Sequence, residues 1–83
     1  MQNLSHDELI QWIVTNNKDV KAGADFFDTP PSYLISRTPI KKLNLPDGWK
    51  YNRKRGTISN QKHFFSKNYV EVKIVKVDYI DIE

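Results

Sequence analysis

At residues 19–45 the chain reads DVKAGADFFDTPPSYLISRTPIKKLNL, and this stretch carries the architecture expected of the whole. Asp19 is placed to cap a helix running to about Phe27, in which Val20, Ala24 and Phe27 share one face at spacings of four and then three. Thr29-Pro30-Pro31 then reads as the start of a third helix. The proline holds Thr29 extended, as a cap should be, and Pro30 sits in a first turn, where no N–H is needed. Pro39 would clash with the Ile35 carbonyl inside a continuous helix, so a break is expected near Thr38, with one further turn through Leu43 and a loop from Asn44 to Gly48.

Working outward, Leu4-Ser5-His6-Asp7-Glu8-Leu9 is a helix start. Ser5 caps, Glu8 closes a capping box three residues on, and Leu4 staples onto Leu9, which predicts a first helix from about His6 to Thr15. Leu9, Ile10, Ile13 and Val14 form its apolar stripe. Beyond Gly48 the pattern turns extended. Trp49 and Tyr51, a basic turn at Arg53-Lys54-Arg55-Gly56, and Thr57-Ile58 read as a β-hairpin with a charged tip. Phe64-Phe65 interrupt a polar stretch and are expected to close the core. From Tyr69 to Ile82 the apolar residues alternate, with slips near Ile74-Val75 and Tyr79-Ile80 that suggest a bulge or a strand covered on both faces.

At 83 residues the chain has room for one small domain, divided by this reading into a helical part at 1–46 and a β part at 47–83. The absence of cysteine excludes disulfides, thiol nucleophiles and thiolate zinc sites. No apolar run approaches the roughly 20 residues that span a bilayer, so a cytoplasmic protein, in a host cell or at the nucleoid, is expected. The net charge of +3 is unevenly spread. Residues 1–36 hold two lysines against five acids, residues 37–67 hold nine Lys and Arg against Asp47 alone, and residues 68–83 hold two lysines against four acids. So basic a middle third between acidic flanks points to a polyanion partner, with nucleic acid foremost.

Three short helices with a tight turn before the third, then a basic hairpin, resemble a winged helix-turn-helix DNA-binding module of phage or mobile-element type. The resemblance rests on Asp19 to Leu45. Ala24 stands at the small position of the motif's first helix, and Phe27 closes that helix. Pro30-Pro31-Ser32-Tyr33-Leu34 and Ile40-Lys41-Lys42-Leu43-Asn44-Leu45 look like the recognition helix and the segment after it. The resemblance implies an α+β fold: an N-terminal three-helix helix-turn-helix, a basic β-hairpin wing and a C-terminal β-strand. It also implies a sequence-specific ligand of double-stranded DNA, as a transcriptional regulator or the recognition module of a replication or mobile-element protein. Leu34 would anchor the third helix inward, leaving Ser32, Tyr33, Ser36 and Arg37 to enter a major groove. Lys41, Lys42 and Lys50 would neutralise phosphates, and Arg53, Lys54 and Arg55 would form the wing's tip.

Enzyme chemistry is not expected: His6 and His63 stand alone, the acids are scattered, and no glycine-rich phosphate loop is present. No cofactor, metal or small-molecule ligand is indicated. The apolar C-terminal strand predicts a homodimer. It also supports a second reading, a small protein-binding inhibitor or adaptor that adds this strand to a partner's sheet.

Overall fold

The computed structural model describes residues 3–24, 30–63 and 65–77. The first helix forms where its cap predicts. α1 spans His6–Asn16, Ser5 Oγ accepts from the Glu8 amide, and the Glu8 carboxylate accepts from the Ser5 amide. Leu9, Ile10 and Ile13 are buried along one face.

The next two elements are strands. β1 is Val20–Gly23 and β2 is Tyr33–Ser36, paired antiparallel from Val20 opposite Ser36 to Gly23 opposite Tyr33. Thus the second and third helices expected around Asp19–Phe27 and after Pro30 do not form. With them falls the three-helix helix-turn-helix, since the described residues form one α-helix and a five-stranded mixed sheet. The physical reason lies in the burial period. Leu34 and Ser36 are buried while Tyr33 and Ile35 are half-buried, a repeat of two, and Tyr and Ile suit a pleated surface. Prolines 30 and 31 serve equally well to hold extended chain, and the Ser32 amide donates to the Gly23 carbonyl at 2.8 Å, tying the entry of β2 to the end of β1. Of the second expected helix, residues 25–27 lie outside the described residues, as does the cap expected at Thr29.

Downstream, Pro39 leads into a 3-10 turn at Ile40–Lys42, in place of the further helical turn through Leu43. β3 (Lys50–Asn52) and β4 (Thr57–Ser59) form the hairpin expected there, and β5 is Glu71–Lys76. The strand order is β1-β2-β5-β4-β3, with β5 parallel to β2 and antiparallel to β4. The sheet therefore draws strands from both halves of the chain. Among the described residues β5 has a strand on each side and the outer strands are β1 and β3, so Glu71–Lys76 offers no edge for pairing with a partner's sheet. Register is continuous through this strand, without the bulge expected at Ile74-Val75. Tyr79, Ile80 and Ile82 lie outside the described residues.

α1 covers one face of the sheet, against β1 and β5. There Leu9, Ile10 and Ile13 meet Val20, Leu34, Ile58, Val72 and Ile74, with Trp49 completing the core. The opposite face carries Tyr33, Ile35 and Val75. Phe65 is 83% exposed and does not close the core, while Phe64 lies outside the described residues.

Candidate nucleic-acid interface

The hairpin tip is built by one side chain. Asn52 Oδ1 accepts from the amides of Lys54 at 2.9 Å and Arg55 at 3.2 Å, and the Asn52 carbonyl accepts from the Gly56 amide at 2.8 Å. Gly56 takes the left-handed φ of 66° that the tight reversal needs. Its carbonyl in turn accepts from the Ile74 amide at 3.0 Å, fastening the tip to β5. Arg53 and Lys54 are exposed on this frame, and Lys50 is exposed on β3.

Arg55 is committed elsewhere. Its guanidinium forms a bidentate pair with Glu71, Nε donating to Oε2 at 2.9 Å, and Tyr69 donates its hydroxyl to the same Oε2 at 2.7 Å. The hydrogen bond from Arg55 pulls the Glu71 carboxyl down to about 2, against the opposing effect of its partial burial and with help from Tyr69. Burial, and then its bond to Glu71, raise the Tyr69 phenol. The wing expected to offer three free cations therefore has one of them neutralised within the fold.

Of the positions assigned to a recognition helix, the structure brings none onto a helix. Ser36 is fully buried. Its Oγ donates to the Thr38 carbonyl at 2.8 Å and accepts from the Thr38 amide at 3.1 Å, so it shapes the turn after β2 and reads no groove. The Ser32 hydroxyl is likewise enclosed. Tyr33 lies over Gly23 on the strand opposite, where a Cβ would meet its ring at 2.5 Å. Arg37 is exposed just past β2, its amide donating to the Asp19 carbonyl at 3.0 Å. Lys41 and Lys42 are exposed on the 3-10 turn. Tyr33 and β3 are separated by three strand spacings of ~4.8 Å, so a groove contact at one does not extend to the other without a ligand about 14 Å wide.

What does come together is the β3–β4 ribbon. Lys50, Arg53, Lys54 and Lys62 line one open groove along it, beside Gln61 and Tyr69. Lys62 and Tyr69 were not singled out from the sequence. Lys62 belongs to the basic middle third, but only the fold of the chain after Ser59 sets it beside the ribbon. Gln61 takes a left-handed φ of 62° there and donates its amide to the Gly48 carbonyl at 2.8 Å.

Compared with protein-family models, characterised proteins and solved structures, the chain matches none. Among the described residues no three His, Cys, Asp or Glu side chains gather into a metal-binding group, and no helix is long and apolar enough to cross a membrane.

Proposed function

We propose that the protein binds double-stranded DNA through the β3–β4 ribbon. The observation that carries this reading is the convergence of Lys50, Arg53, Lys54 and Lys62 on one groove of that ribbon. They come from a segment, residues 37–67, in which Asp47 is the single acid. β3 is an outer strand of the sheet, so its cations and those of the tip lie at an edge that a duplex can approach, and they release condensed counterions when they meet phosphates. With no recognition helix among the described residues, affinity is carried by the phosphate backbone, and any base reading falls to the ribbon's own side chains. Arg55 contributes through the Glu71 pair, holding the tip in shape.

Fluorescence anisotropy with a random duplex at rising salt tests this. Four phosphate contacts give a log–log slope of about −3 to −4, and each serine substitution at Lys50, Arg53, Lys54 or Lys62 lowers its steepness by about 0.9. Absence of binding at low salt, or an unchanged slope in the quadruple variant, overturns the reading.

A further inference from the structure

A second groove lies on the helix side of the same ribbon, between the 3-10 turn and β3. It measures about 540 Å³, and its floor is apolar, made by the half-buried Ile40, Leu43, Leu45 and Tyr51. Three cations from three separate elements, Lys41 of the 3-10 turn, Arg53 of the hairpin tip and Lys76 at the end of β5, stand around it, and among the described residues no acid lines it. Apolar walls with a few convergent polar groups, at this size, are what small-molecule sites have.

The groove is also fixed in shape. The segment forming its wall is pinned before the 3-10 turn by the Ser36–Thr38 hydrogen bonds. After it, Asn44 is held by Asn17, whose Oδ1 accepts from the Asn44 amide at 2.7 Å and whose Nδ2 donates to the Asn44 carbonyl at 2.9 Å. The turn itself closes through Lys42 N–H to the Pro39 carbonyl at 2.9 Å and Leu43 N–H to the Ile40 carbonyl at 3.1 Å. A wall so braced loses little freedom on binding, which favours a ligand over an accidental hollow.

We propose that this groove binds a small organic anion with a flat or extended apolar body, the body lying on Ile40, Leu43, Leu45 and Tyr51 and the carboxylate or phosphate facing Lys41 and Arg53. The charge complementarity selects an anion over a neutral apolar ligand. The site shares only Tyr51 and Arg53 with the groove of the DNA reading, and the two can be tested apart.

The probe is 2-naphthoate, with 2-naphthamide as its uncharged counterpart, followed by ¹H–¹⁵N correlation spectra of the full chain. Saturable shifts centred on the amides of Ile40, Leu43, Leu45 and Tyr51 are expected, with naphthamide weaker. The variant Lys41→Glu changes one exposed side chain of the 3-10 turn; it should weaken naphthoate binding by about threefold and leave naphthamide unchanged. Serine at Lys50, Lys54 and Lys62 should leave naphthoate binding intact while lowering the DNA salt slope, so either proposal can fail alone. Equal affinity for acid and amide, shifts centred instead on Ile35 and Val75, or no shift at about 5 mM ligand would overturn the assignment.

Discussion

Replacing Asn17 by alanine should remove a large share of the molecule's stability, although Asn17 is neither apolar nor part of the sheet. It is 8% exposed and its side chain makes three hydrogen bonds: Nδ2 to the carbonyls of Ile13 and Asn44, both at 2.9 Å, and Oδ1 from the Asn44 amide at 2.7 Å. The Ile13 carbonyl belongs to the last turn of α1, where intrahelical partners run out. Asn44 is itself exposed, so water can replace part of what is lost, and the cost falls near the ordinary 1 kcal/mol per bond, about 2 to 3 kcal/mol in all. A chain of this length is stabilised by about 4 to 12 kcal/mol. Urea unfolding followed by tryptophan fluorescence reads the change. With an m-value of about 1 kcal/mol/M for a small protein, the midpoint should fall by about 2 to 3 M. Asn17→Asp sharpens the test. It keeps the acceptor for the Asn44 amide but turns the donor into a second oxygen facing two carbonyls, so at neutral pH it should be at least as damaging as alanine. Aspartate as stable as the wild type, or alanine costing well under 1 kcal/mol, would refute the idea that this clamp joins the helix to the 39–46 segment.

Leu34→Ala should cost about 2 to 5 kcal/mol in the same assay, because Leu34 is fully buried between α1 and the sheet; a loss below 1 kcal/mol would mean that the core collapses around the void. Gly56→Ala should cost about 1 to 2 kcal/mol, since the residue sits at φ 66° with open space around its missing Cβ, so that backbone strain alone sets the penalty; Gly56→Asn, which tolerates that φ, should recover part of it. Stability should also fall with acid. The Glu71 carboxyl is held at about 2 in the fold against an ordinary value of 4.5, so the unfolded chain takes up its proton first. Its contribution is complete above pH 4.5 and is lost as pH falls toward 2. Urea midpoints measured across that window should be flatter in Glu71→Gln than in the wild type, and identical slopes would remove the Arg55–Glu71 pair from the account.

The elements legible in the sequence are those whose determinants are local. Ser5 and Glu8 define the start of α1 within four residues, and Asn52 to Gly56 define the hairpin tip within five. Leu34 was expected to point inward and does, but from a strand. The error at β1 and β2 has a physical origin in length. Each strand has four residues, fewer than the two helical turns over which periods of two and 3.6 separate. What fixes them as strands is remote, because Tyr33 to Ser36 pair in parallel with Lys73 to Lys76, about 40 residues onward. No local propensity encodes that partner. The same distance hides the binding features. Lys41, Arg53 and Lys76 look like three isolated surface cations in the sequence, and Asn17 looks like a residue that ends a helix. Only when Asn17 reaches Asn44, 27 positions away, does the apolar turn at Ile40 to Leu45 become a rigid wall facing Tyr51. A charge count along the chain can therefore identify a basic segment and point to a polyanion. It cannot tell that Arg55 is spent on Glu71, nor that Lys50, Lys54 and Lys62 line a polar groove on one side of the ribbon while Lys41 lines an apolar one on the other. Those two surfaces ask for different ligands, and Arg53 at their shared edge is the position where occupation of one should be felt by the other.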